Sequence, residues 1–145
     1  MARKILIVDD NSDCRCILAR YLHRLGYETL EAENSGQAIR KAITEQPDLI
    51  LTDFRLPDMH AVDAVAILKR DPSAAKIPIV VLTGMADARY KRQAIKAGVA
   101  KYLLKPISLH KLINEIKTLT ETGSASCDID TETHVRGLSK GLLHI

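Results

Sequence analysis

Short apolar runs separated by helix-length amphipathic stretches recur along the chain, and this alternation restricts its fold more than any other feature. Lys4-Ile5-Leu6-Ile7-Val8 is rich in β-branched residues, and Leu49-Ile50-Leu51-Thr52, Ile79-Val80-Val81-Leu82 and Ala100-Lys101-Tyr102-Leu103-Leu104 are runs of the same kind. Brief runs without polar alternation read as strands buried on both faces, the habit of a parallel sheet. Tyr27-Glu28-Thr29-Leu30-Glu31 alternates instead, as an edge strand does.

The intervening stretches have helical periodicity. Cys14, Ile17, Leu18, Tyr21, Leu22 and Leu25 form one apolar stripe that stops at Gly26, a natural residue just past a helix end. Ser35 is placed to cap a second helix carrying Ala38, Ile39, Ala42 and Ile43, which Pro47 terminates. A third helix carries Val62, Val65 and Leu68 and ends near Asp71-Pro72. A fourth runs from about Asp87 to Gly98, with Tyr90, Ala94 and Ile95 as its expected buried side. The fifth starts after Ser108 as N-cap and buries Leu109, Leu112, Ile113, Ile116 and Leu119.

Five β-α units with right-handed crossovers leave few topologies. The one that fits is an α/β fold, a flavodoxin-like, doubly wound, five-stranded parallel sheet of order 2-1-3-4-5 with five helices. The domain is expected to span residues 3–121. From 122 to 145 the composition shifts to Thr, Gly, Ser and acidic residues, which predicts a flexible tail. Val135, Leu138, Leu142, Leu143 and Ile145 could make a short docking helix there, weakened by two glycines. A chain of 145 residues has room for one substantial core and none for a second output module.

Charge narrows the function. The formal net charge of +3 is scattered rather than gathered into a basic patch with interleaved aromatics, so direct nucleic-acid binding is not expected. Cys14, Cys16 and Cys127 are odd in number and lack CxxC spacing, which suits reduced, incidental thiols. The apolar runs are strand-sized and the N-terminus carries no signal-peptide pattern, so a cytoplasmic protein without a membrane span is expected.

The polar residues that end the strands carry the chemistry. Asp9-Asp10 follow the first strand, Asp53 the third, Thr83 the fourth and Lys105 the fifth. In an open α/β sheet, ligands bind at that edge, at the switch point between the first and third strands. Singly, such an Asp or Thr reads equally well as a turn or cap; together, at the ends of four strands on one edge, they do not. Three carboxylates there would repel one another unless a cation joined them. With no His or Cys beside them in sequence, a hard ion such as Mg²⁺ is implied. Lys105 supplies a second positive charge, the Thr83 hydroxyl can hydrogen-bond a phosphoryl oxygen, and Gly84 leaves space for one.

Through Asp9-Asp10, Asp53-Phe54-Arg55-Leu56-Pro57-Asp58-Met59, Thr83-Gly84 and Lys105-Pro106, the chain resembles the response-regulator receiver family of two-component signalling over about residues 3–121. The resemblance implies a single-domain response regulator, a phosphorylation-dependent switch with weak self-phosphorylation and self-dephosphorylation rather than a metabolic enzyme. Asp53 would accept a phosphoryl group from a histidine kinase or phosphotransfer protein. Asp9, Asp10, Asp53 and the backbone carbonyl of Arg55 would hold Mg²⁺, and Thr83 and Lys105 the phosphoryl oxygens. Thr83 and Tyr102 would form the switch pair, and the Lys105-Pro106 peptide would be cis. A downstream protein target or a second copy would use the face made by the fourth helix, fifth strand and fifth helix. Arg55 and Met85 would border the incoming water and tune the phosphoryl lifetime.

One departure from the family pattern is Met59-His60-Ala61, where a polar residue and a glycine are usual. If that turn needs a positive φ, Ala61 costs about 1 kcal/mol. Three rival functions remain. A flavin or nucleotide binder of similar topology would need a Gly- or Ser/Thr-rich phosphate loop after the first strand, where Asp9-Asp10-Asn11 would repel the phosphate. A phosphatase with an Asp nucleophile would carry a second Asp two residues on, where Arg55 stands. A receiver-like scaffold that works without phosphorylation would not need the acids, Thr83 and Lys105 intact.

Overall fold

The computed structural model describes residues 3–121. The elements are β1 (Lys4–Val8), α1 (Ser12–Arg24), β2 (Glu28–Ala32), α2 (Ser35–Glu45), β3 (Leu49–Thr52), α3 (Ala61–Arg70), β4 (Ile79–Thr83), α4 (Ala88–Ala97), β5 (Lys101–Leu104) and α5 (Leu109–Thr120). Every ladder is parallel and the strand order is β2-β1-β3-β4-β5, as the alternation requires. Residues up to Leu104 form one compact unit; a second begins at Lys105 and, within the described residues, holds α5. The expected tail, with its docking helix, lies outside the described residues.

β1, β3 and β4 are apolar on both faces because both faces are covered. Leu6, Val8, Ile50, Ile79 and Val81 pack with Ala38, Ala42, Val65, Leu68 and Ala94, so α2, α3 and α4 close one side. The alternating Ile5, Ile7, Leu49 and Leu51 turn to the other face, and they too are buried, as are Leu18 and Leu22 of α1. Aromatic residues are few, but Phe54, Tyr27 and Tyr102 are all buried.

Helix ends follow local chemistry. After α1, Gly26 takes φ +94°, letting Tyr27 N–H reach the Leu22 carbonyl and Gly26 N–H the His23 carbonyl. Gly98 does the same after α4 at φ +117°. α2 has no such glycine; Gln46 takes φ 52° and its side-chain amide donates to the Ala42 and Ile43 carbonyls.

Several side chains depart from the expected pattern. Ile17, Leu25 and Ile95 are exposed, since the stripes they complete extend past the region that the sheet covers. Leu119 is only half-buried, and Thr120 is buried in its place with its hydroxyl donating to the Ile116 carbonyl. The cap of α2 is Asn34, whose side chain accepts from Gln37 N–H at 2.8 Å; Ser35 is the first helical residue. The edge strand starts at Glu28 because Tyr27 is used in the turn that closes α1.

Candidate functional site

Strand register brings the polar residues to one level. Val8 pairs with Thr52, and Thr52 with Val81, so Asp9 and Asp53 leave neighbouring strands side by side and Thr83 ends β4 slightly beyond them. Asp53 N–H donates to the Val8 carbonyl at 3.1 Å, which carries the β1–β3 pairing into the site. Asp9 is 6% exposed, Asp53 half-buried and Asp10 exposed. Asn11 does two jobs: its amide donates to the Asp9 carboxylate at 2.9 Å, and its side chain caps α1.

Residues 53–61 form a loop fixed at its base, its neck and its tip. At the base, Phe54 N–H donates to the Asp53 carboxylate at 2.6 Å and the Phe54 ring is fully buried. At the neck, Arg55 and His60 lie opposite each other in a short antiparallel pairing, closed by Ala61 N–H donating to the Phe54 carbonyl at 2.8 Å. At the tip, Asp58 accepts from the amides of Ser35 at 2.9 Å and Gly36 at 2.8 Å. Burial alone would raise the Asp58 pKa, but hydrogen bonds from the Ser35, Gly36, Asp58 and Met59 amides outweigh it and hold the carboxyl below the ordinary aspartate value. Ala61 carries no strain: it is the first residue of α3, buried, and Gln46 is the sole non-glycine with positive φ among the described residues. His60 turns its ring edge-on to Phe54 at 5.7 Å.

The loop after β4 is held differently. Thr83 is 1% exposed, and its hydroxyl accepts from Met85 N–H at 3.3 Å. The Met85 carbonyl in turn accepts from the Tyr102 hydroxyl at 2.7 Å. The expected switch pair is therefore joined through one intervening residue, Met85, with the Tyr102 ring packed inward, 6.1 Å from Phe54. Burial first, and then the charges of Asp53, Asp87 and Tyr90, push the Tyr102 phenol above its ordinary value of 10.0, which keeps it a proton donor. Beyond the loop, Asp87 caps α4 and is drawn down to about 2 by side-chain and backbone hydrogen bonds from Arg89.

A family model for the response regulator receiver domain matches residues 5–117. The chain belongs to that family. It is 37% identical over 133 residues to the phosphate regulon transcriptional regulatory protein PhoB of Pseudomonas aeruginosa, a match covering 91% of this chain and 58% of that protein. The chain thus spans less than two thirds of that relative's length. It is 34% identical over 121 residues to the chemotaxis protein CheY1 of Helicobacter pylori, covering 82% of this chain and 98% of that one. Among solved structures, the receiver domain of the sensor histidine kinase PA1611 from Pseudomonas aeruginosa, with a magnesium ion coordinated in its active-site cleft, aligns with a TM-score of 0.78 at 27% identity over 84% of this chain and all of that one. Receivers are phosphorylation-dependent switches rather than classical enzymes, and they pair with histidine kinases.

The donor set of this receiver suits the ion that the family binds. Asp9, Asp10 and Asp53 offer only oxygen, the preference of a hard cation. Among the described residues no three His, Cys, Asp or Glu side chains converge into a ready-made cage. That is compatible with Mg²⁺, which keeps several waters and needs only one or two carboxylates. Lys105 opens the second unit, half-buried, and its peptide bond to Pro106 is cis. No helix among the described residues is long and apolar enough to cross a membrane.

Three supports escaped the sequence reading. Asp58 contacts residues 22 and 23 positions away, which no local pattern reveals. Arg15 donates to the Asp9 carbonyl while pairing with Glu31 at 3.1 Å, tying the acidic loop to the edge strand; its place on the helix that follows the acids was the available signal. Met85 links Thr83 to Tyr102 through backbone groups, so its side-chain type gave no hint.

Proposed function

We propose that Asp53 accepts a phosphoryl group from the phosphohistidine of a histidine kinase or phosphotransfer protein. The observation that carries this reading is the placement of Asp53 beside buried Asp9 at the β1–β3 switch point, with the Thr83 hydroxyl ending the next strand. Asp9, Asp10, Asp53 and the Arg55 carbonyl would hold Mg²⁺, and Thr83 and Lys105 the phosphoryl oxygens. When bound, the ion neutralises charge on the transferring group and lowers the barrier to its arrival and its hydrolysis.

The chain's own residues do the rest. Asp53 supplies the attacking carboxylate oxygen. Thr83, drawn to the phosphoryl group, would release Met85 N–H, and the change would pass through the Met85 backbone to the Tyr102 hydroxyl. A downstream protein would read the change on the side of α4 and β5, where Ile95 and Leu104 are exposed. This output, a cytoplasmic location and the absence of direct nucleic-acid contact belong to the same proposal. Arg55, exposed beside Asp53, should tune phosphoryl lifetime. Arg55→Ala is expected to alter the half-life of the acyl phosphate without preventing its formation, as followed by loss of label.

The test is intact mass after incubation with acetyl phosphate and Mg²⁺. One added phosphoryl group, abolished by Asp53→Asn and by a chelator, is the expected result. No gain under any condition would favour a scaffold that works unphosphorylated.

A further inference from the structure

The 53–61 loop carries the Arg55 carbonyl, and its tip is gripped by a different part of the fold. α2 begins with three backbone N–H groups that have no partner within the helix. Its cap Asn34 takes only the third, from Gln37. The first two, from Ser35 and Gly36, go to the two oxygens of Asp58. The Ser35 hydroxyl, on a fully buried residue, reaches the Met59 carbonyl at 3.5 Å. The positive end of the helix dipole favours the Asp58 charge further. One carboxylate thus completes a helix start and fastens a loop tip, while the Arg55–His60 bridge and the bond from Ala61 N–H to the Phe54 carbonyl close the neck between tip and site.

We infer that Asp58 is a positioning residue for Mg²⁺: by latching the loop tip to the start of α2 it holds the Arg55 carbonyl in the orientation the ion needs. This rests on the reading that Asp53 and its neighbours form the metal and phosphoacceptor site. The latch touches neither ion nor phosphoryl group. Cutting it leaves the three carboxylates in place but lets the loop shift about its neck and carry the Arg55 carbonyl out of line. Supporting contacts of this kind are worth on the order of tenfold in metal affinity.

The test compares two variants of the full chain by direct Mg²⁺ titration, read from NMR amide shifts at Asp10 and Arg55, with no phosphodonor present. Asp58→Ala removes the latch. Asn34→Ala removes the local cap of the same helix without touching the loop. The expected result is Mg²⁺ binding about tenfold weaker for Asp58→Ala and unchanged for Asn34→Ala, with Asp58→Asn, the gentler change, in between. Equal weakening in both would assign the effect to loss of α2 itself and overturn the inference, as would unchanged binding in Asp58→Ala. Wild-type protein that binds no Mg²⁺ would sink the metal-site reading instead, and the inference with it.

Discussion

The loops that follow β3 and β4 border the same sheet edge and are built to opposite specifications. The first is tied at its base, neck and tip by backbone groups and one long-range carboxylate. For residues 84–86, the hydrogen bonds described are two, and both join Met85 to hydroxyls, of Thr83 and Tyr102. Hydroxyls rotate at little cost and exchange partners readily. A switch needs one fixed jaw to hold the ion and one that can change partners when the phosphoryl group arrives. Under the proposed function, the two loops would divide that work.

The sharpest attempt to break this comparison is Thr83→Ala. It removes the hydroxyl proposed to meet the phosphoryl oxygen, so the phosphorylation-dependent change in NMR shifts around Tyr102 should vanish while Mg²⁺ affinity stays as in the wild type. A fall in Mg²⁺ affinity would show that the two loops are not independent. Next is Asp58→Ala, which leaves the start of α2 half-capped and should lower stability to urea by about 1 kcal/mol. Tyr102→Phe should cost less than about 1 kcal/mol, because water can take over the Met85 carbonyl. Its clearer sign is faster hydrogen exchange at residues 84–86 with no change at Gly36.

The smallest effect is on pH. Because folding lowers the Asp58 pKa, its contribution is complete above the ordinary aspartate value of 3.8 and fades as pH falls through the lower folded value. Protection of the Gly36 amide should therefore drop on acidification below about pH 4 in the wild type, and far less in Asp58→Asn. Equal acid sensitivity in both would place the titration elsewhere.

Much of this was legible in the sequence, for a reason that also marks its limit. β1, β3 and β4 declare themselves because burial on both faces demands unbroken apolar runs, and the polar residue ending each run then falls at the sheet edge. Helix faces are read less well. Ile17 and Ile95 complete apolar stripes yet lie in solvent, because periodicity shows that a stripe exists and not how far its cover reaches. The positive φ that would strain Ala61 is not needed, since the helix simply starts there. Asp58 was read as one letter of a motif, and its role depends on a helix start that only folding brings within reach.

The ring cluster behind Asp53 has a practical consequence. The chain has no tryptophan, one phenylalanine and four tyrosines, so its near-ultraviolet signal is almost wholly tyrosyl. Tyr90 lies 5.0 Å and Tyr102 6.1 Å from Phe54, whose own amide donates to the Asp53 carboxylate. Half of the tyrosines therefore sit around the residue next to the proposed phosphoacceptor. Near-ultraviolet dichroism and tyrosine emission should follow occupancy of the site in unlabelled protein, with Tyr90→Phe and Tyr102→Phe separating the two contributions, so that the molecule serves as its own optical gauge.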